Sequence, residues 1–234
     1  MRFSVAPVVF ESFPGLRLVV ALAEEIDNHS PKPDLLQLWR HTWEEAGRWK
    51  GMGVNAQSHP RVRPWRDAMS AIGVSGQKFP SSVEAILRRA MKGGEPFSIN
   101  PLVDYYNLVS LRHVVPAGGF DLEKLDDQLE LRLTRRGDMF LALDESEPLA
   151  VPDGEVAYVT GQVVLTRHFV WRQSRAGLLM PGTRSVFLVS EILGTLGKRL
   201  ADNVTEDFQA GLTRYFDSVP QTFLVDEAHP SITW

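Results

Sequence analysis

Side chains able to do chemistry are sparse in this sequence, and the stretch from Ser98 to Asp121 gathers those whose order is most specific. It contains Asn100-Pro101, Val103-Asp104, Asn107, Ser110-Leu111, Pro116 and Gly118-Gly119-Phe120-Asp121. Asn100 suits a helix cap, because its side-chain oxygen can accept from an N–H that the first turn leaves unpaired, and Pro101 has no N–H to leave. The spacing predicts a capped helix, then a glycine turn, then an acidic residue where strands begin. Glycines permit close approach of backbone to a ligand, so the turn would form a rim of N–H donors near the helix.

Other chemistries lack the spacing they need. His29, His41, His59, His113, His168 and His229 include no pair at i, i+4 and no His-x-His, and the chain has no cysteine. No metal site, thiolate nucleophile or disulfide framework is therefore expected. Gly194 to Arg199 sets a Gly-Lys pair behind another glycine, yet Arg199 stands where a phosphate-binding loop places Ser or Thr on magnesium. Gly73, Ser75 and Gly76 fall one residue short of a nucleophile elbow. His168, in an alternating aromatic run, reads as a packed histidine.

With 44% hydrophobic and 23% charged residues over 234 positions, the chain has the make-up of one globular unit with a sizeable core. The apolar runs Val5 to Phe10 and Leu18 to Ala23 are too short to span a membrane or to serve as a secretory segment, so a cytoplasmic location is expected and membrane association is not. A net charge of −4 argues against a broad basic face that coats nucleic acid. Local basic patches remain open: Arg61, Arg63 and Arg66; Arg88 and Arg89; Arg132, Arg135 and Arg136. They count only if folding brings them together.

The elements that must hold these groups follow from periodicity. Arg2 to Ala23, with a turn signal at Phe13 to Gly15, predicts a hairpin of two strands. Leu35, Leu36, Trp39, Trp43 and Ala46 predict a helix over Pro33 to Lys50. A second helix runs from Pro64 to Gly73, and a third starts at a capping box of Ser81 and Glu84 and stops at Gly93-Gly94. The Asn100 helix follows, through Leu102, Tyr106 and Val109. After Asp121 the period becomes two, which predicts strands at Leu129 to Leu133 and Leu165 to Arg172, and Val186 to Leu193 is a third strand candidate. Glu206 to Phe216 reads as a closing helix and the tail to Trp234 as irregular. The expected class is α+β, a helical first half packed on a mostly antiparallel sheet.

In detail, Val103-Asp104-Tyr105-Tyr106-Asn107, Pro116 to Asp121 and Leu122-Glu123-Lys124-Leu125 resemble the B3/B4 tRNA-editing domain of the bacterial phenylalanyl-tRNA synthetase beta subunit. That segment has a Val-Asp-x-x-Asn helix, a Pro-x-x-x-Phe-Asp turn and Leu-x-Lys-Leu. Trp65-Arg66, Gly73 and Ser82 to Arg89 look like the lead-in of stand-alone members. Pro152, Gly154-Glu155, Trp171-Arg172-Gln173-Ser174 and Thr183-Arg184 continue the pattern. The likeness covers residues 59–193, and 1–234 reads as one such domain with extensions at 1–58 and 194–234.

The resemblance implies an ester hydrolase that frees tyrosine from phenylalanine tRNA, in a pocket where the helical and sheet halves meet, with no cofactor. Three positions depart from the pattern: Tyr106 stands for a threonine, Gly118 for a histidine and Val189 for the glutamate that reads the tyrosine side chain. Glu191 lies two residues beyond Val189, and in a strand i and i+2 share a face. Glu191 is thus the expected catalytic or ligand-reading carboxylate, with Asn107 orienting and Gly118 and Gly119 donating from the backbone. Asp121, Arg172, Thr183 and Arg184 complete the expected binding residues, the arginines holding a phosphate or carboxylate or pairing with Asp104 or Asp121. Three readings stay open: trans-editing of a mischarged aminoacyl-tRNA, non-catalytic tRNA or RNA binding, and a pocket for a free amino acid. Nothing in the sequence specifies an oligomeric state.

Overall fold

From Arg17 to Ala23 and from Val186 to Ile192 nearly every residue is apolar, which is the pattern of strands covered on both faces. The computed structural model describes residues 1–49 and 55–234. In chain order the elements are β1 (Arg2–Val5), α1 (Pro7–Ser12), β2 (Arg17–Ala23), α2 (Pro33–Arg48), α3 (Arg63–Ala71), α4 (Ser82–Lys92) and α5 (Pro101–His113). Then come β3 (Ala117–Asp121), β4 (Gln128–Leu133), β5 (Met139–Phe140), β6 (Leu149–Ala150), β7 (Val156–Thr160), β8 (Val163–Val164), β9 (Thr166–Arg167) and β10 (Arg172–Gln173). The chain closes with β11 (Val186–Ile192), α6 (Lys198–Phe216), β12 (Gln221–Val225) and β13 (Ser231–Thr233).

Strands β12-β2-β11-β3 form an antiparallel four-stranded sheet, and β13-β1-β4-β7-β8-β5-β6 form a second, mixed sheet whose β1–β4 and β5–β8 pairs are parallel. The class is α+β. Alternation along β2 and β11 sorts side chains into two cores. Val19, Ala21, Ala23, Val186, Leu188 and Ile192 pack with helix residues such as Trp39, Leu108 and Phe208. Leu18, Val20, Leu22, Phe187 and Val189 face the second sheet, against Phe3, Leu129, Leu131 and Tyr158. The four-stranded sheet is thus the middle layer of the molecule.

The helices sit close to their predicted positions, and their end chemistry explains why. Asn100 accepts from Val103 N–H at 3.1 Å and Ser81 from Glu84 N–H at 3.4 Å. The capping box is only half made, because the Glu84 carboxylate turns to Arg66 and Arg88. Trp39 and Trp43 of α2 donate to the carbonyls of Phe97 and Gly94, which anchors the segment leading to Asn100. The predicted end of the first helix, Lys50, lies outside the described residues.

Five expectations change. The N-terminal hairpin is absent: α1 separates β1 from β2, and the two strands enter different sheets. Pro7 at the first helical position ends β1, since a proline cannot donate to a ladder. The glycine turn is instead strand β3, paired to β11 with Gly118 opposite Val189. Leu165 to Arg172 is not one strand but the short hairpin β9–β10. The tail is ordered, with β12 and β13 on the edges of the two sheets. The closing helix begins earlier than predicted, at Lys198.

The two glycines of β3 are not equivalent. A Cβ on Gly119 would lie 2.6 Å from Leu188 Cδ2 and 3.2 Å from Leu179 Cδ1 and the Phe187 carbonyl, whereas one on Gly118 meets nothing within 4 Å. Denaturant unfolding should show Gly119→Ala losing about 1–3 kcal/mol through overpacking. Gly118→Ala should stay within about 0.5 kcal/mol of wild type. Equal effects would mean that β3 is not held against Leu188 and Leu179 as described.

Candidate functional site

Glu191 comes near the end of β11, on the face that carries Phe187 and Val189 toward the second sheet. It is 4% exposed. Its Oε1 accepts the Tyr158 hydroxyl of β7 at 2.8 Å. Burial pushes the carboxyl up to about 7, against the pull of the Tyr158 hydrogen bond. The same burial, with the Glu191 charge beside it, pushes the Tyr158 hydroxyl well above its ordinary range, so tyrosine remains the donor.

A cavity of about 70 Å³ opens over this pair, lined also by Ser82, Gly118, Phe120, Phe169 and Val189. Among the described residues, Glu191 is the single carboxylate of its lining. Trp171, Arg172 and Gln173 of the β9–β10 hairpin form the half-exposed wall.

β3 supplies the other wall from an edge. Glu191 N–H bonds the Pro116 carbonyl, Asp121 N–H bonds the Gly177 carbonyl, and the Gly119 carbonyl accepts from Gln173 Nε2 at 3.0 Å. In an antiparallel ladder N–H and C=O of one residue point the same way. Gly118 therefore turns its peptide groups into the ladder, and Gly119 turns its N–H outward on the unpaired edge. Of the two donors expected from the sequence, Gly119 alone is placed to offer one.

The hairpin wall is strained. His168 and Phe169 have φ of 46° and 59°, a region non-glycine residues seldom occupy and one that costs energy unless the surroundings enforce it. Phe169 N–H bonds the Val156 carbonyl, Ser82 N–H bonds Val170, and Ser174 N–H bonds Leu165. Arg167 grips both Glu155 oxygens, at 2.7 and 2.5 Å. With those oxygens taken, His168 Nδ1 stands 3.5 Å from Glu155 and remains without a hydrogen bond. The ring packs on Phe79 at 3.9 Å instead, and desolvation lowers its pKa.

A family model for the B3/4 domain matches residues 64–200, more than half of the chain. The chain belongs to the B3/4 domain family. No curated protein matches it. Among solved structures it is similar to an N-terminal fragment of the phenylalanyl-tRNA synthetase beta subunit from Pyrococcus horikoshii, at 10% identity and a TM-score of 0.47, over 96% of this chain and 54% of that one. The chain thus spans about half the length of that fragment.

Within this B3/4 domain, Glu191, Gly118, Gly119 and Arg172 meet at one cavity. Arg172 reaches its mouth, where the guanidinium pairs with exposed Asp144 rather than with Asp104 or Asp121. Asp121 and Thr183 bond each other at 2.7 Å and cap local turns, Asp121 at Glu123 N–H and Thr183 at Met180 N–H. They lock the 177–185 loop to the end of β3. Asn107 is buried on α5, away from the cavity, and Arg184 is exposed. Of the three departures from the family pattern, Gly118 and Val189 line the cavity, while Tyr106 packs against the helix-side core. Tyr158, Ser82 and Phe169 were not singled out beforehand. Only Tyr158 left a signal, a hydroxyl in a buried strand that must find a partner.

No group of three or more His, Asp or Glu among the described residues is placed to hold a metal ion, and no helix among them is long and apolar enough to cross a membrane.

Between pH 4.5 and about 7 the folded chain keeps a Glu191 proton that the unfolded chain has released. Stability should therefore fall as pH rises across that window and level off above it. Glu191→Gln keeps a neutral acceptor for Tyr158 and removes the titration. Its unfolding free energy relative to wild type should rise through the window, by up to about 3 kcal/mol. A difference that does not vary with pH would mean that Glu191 titrates as an ordinary surface carboxylate.

Proposed function

We propose that this chain is a trans-editing ester hydrolase that acts on the aminoacyl end of a mischarged tRNA in the cytoplasm. The buried Glu191 beside Tyr158 carries the reading: a carboxyl held near neutral pH is suited to take a proton from water. Membership of the B3/4 family, with motifs that resemble its tRNA-editing domain, supports a tRNA end as the partner.

In this reading a water molecule at the cavity attacks the ester carbonyl and gives its proton to the free oxygen of Glu191. The Tyr158 hydroxyl holds the other oxygen and fixes the orientation of the carboxylate. The outward N–H of Gly119 faces the developing oxyanion. The C–O bond to the ribose then breaks, the proton returns from Glu191 to the leaving hydroxyl, and a free amino acid departs. No cofactor enters the balance.

The cavity sets the acyl group. At about 70 Å³ it is well below the roughly 300–1,000 Å³ of pockets that enclose drug-sized ligands. With Val189 in place of the glutamate expected to read tyrosine, the cavity suits a small side chain better than tyrosine. The same two substitutions, Gly118 and Val189, favour one second reading, in which the chain binds an aminoacyl-tRNA or an amino acid without hydrolysis.

A panel of mischarged aminoacyl-tRNAs separates these. Hydrolysis should be found among members with small side chains, should rise with pH through about 7 as Glu191 ionises, and should drop by about 100-fold or more in Glu191→Gln. Saturable binding of an aminoacyl-tRNA with no hydrolysis would establish the second reading. Equal hydrolysis by wild type and Glu191→Gln would remove Glu191 from the chemistry.

A further inference from the structure

Two of the basic groups noted in the sequence converge. Arg66 of α3 and Arg88 of α4 both bond Glu84, whose side chain is completely buried: Arg66 Nε to Oε2 at 2.9 Å, and Arg88 Nη2 to Oε1. Arg66 also donates to the Gly76 carbonyl at 3.0 Å. Two guanidinium groups on one carboxylate leave a net positive charge. Arg66 Nη1 and Arg88 Nε and Nη1 have no protein hydrogen-bond partner among the described residues.

Both arginines face a cleft of about 610 Å³, whose other polar lining is Asn55, Gln57 and Gln77. Among the described residues no carboxylate lines it. The lining is therefore rich in donors, carries one uncompensated positive charge, and has its arginines fixed in advance by a buried anchor. That combination suits a phosphate group, which guanidinium forks bind through paired N–H groups.

The cleft and the Glu191 cavity flank one loop. In the segment joining α3 to α4, Gln77 lines the cleft while Phe79 packs on His168 and Trp171 at the cavity wall. On α4, Ser82 lines the cavity and Arg88 the cleft, separated by about 9 Å of helix rise.

We infer that this cleft is a phosphate site that holds the backbone of a single-stranded RNA whose end approaches the Glu191 cavity. The inference deepens the reading of that cavity as a site for an RNA end and rests on it for the identity of the RNA. A phosphodiester and a free phosphate share the required chemistry, and binding measurements tell them apart.

The test uses the whole chain and a fluorescein-labelled single-stranded oligoribonucleotide without an amino acid, titrated at several salt concentrations with inorganic phosphate in parallel. Arg88→Gln should weaken RNA binding roughly tenfold and flatten the salt dependence by about 0.7 for each phosphate it no longer neutralises. Since Arg88 also serves Glu84, Gln57→Glu is the second variant: Gln57 is exposed, and its new charge should weaken binding without moving the melting temperature. Wild-type affinity and salt dependence in both cleft variants would overturn the inference. So would binding of inorganic phosphate by a chain that does not bind RNA. RNA binding lost in the cleft variants, in a protein that deacylates nothing, would sustain the phosphate site and refute the hydrolase.

Discussion

A sheet covered on both faces has no solvent side on which to place a charge, and this constraint governs the molecule. β11 lies inside that sheet, between β2 and β3, with helices on one face and a second sheet on the other. Its one acidic residue, Glu191, is consequently desolvated, and its nearest compensation is a neutral hydroxyl from the opposing sheet. A buried carboxyl without a cation ordinarily keeps its proton. The upward shift of Glu191 follows from the layer arrangement rather than from a neighbouring anion, since burial is its largest cause.

Three shielded acids with arginine partners show the contrast. Asp138 receives two guanidinium hydrogen bonds from Arg132, at 2.7 and 3.0 Å, and is held below the ordinary carboxylate range. Glu84 has two arginines and Glu155 has one. Each of these anions is neutralised where it is buried and serves to fix strands, helices or the hairpin. Asp104, buried and held by Ser98 Oγ and Ile99 N–H, also lacks a cation and is also raised by burial, so what sets Glu191 apart is the cavity in front of it. The strained His168-Phe169 turn belongs to the same design, since it carries the wall that closes the cavity against Gly119.

Much of this was legible in the sequence where local rules govern. Caps at Ser81 and Asn100 and the apolar stripe of α2 placed the helices, because those signals act within a few residues. The period of two placed β4, the apolar run Val186 to Leu193 placed β11, and the i, i+2 rule put Val189 and Glu191 on one face, where both line the cavity. The hairpin expected at Arg2 to Ala23 failed because two apolar strands in succession look alike whether they pair with each other or with distant partners. In fact β1 pairs with β4 and β13, and β2 with β11 and β12. The bend at His168 carries no glycine or proline and is enforced by tertiary hydrogen bonds, so no local residue announces it. The meeting of Tyr158 with Glu191, and of Asp121 with Thr183, likewise depends on loops closing over long sequence separations.

The chemistry of the cavity turns on Glu191 being a desolvated carboxyl that loses its proton near neutral pH. The most direct measurement is a titration of the Glu191 side-chain carboxyl by carbon NMR on selectively labelled protein, with Glu191→Gln to assign the signal. The predicted midpoint is about 7. A midpoint at the ordinary 4.5 would contradict the site as described, since a carboxyl ionised throughout the neutral range would not be the desolvated group held between the two sheets.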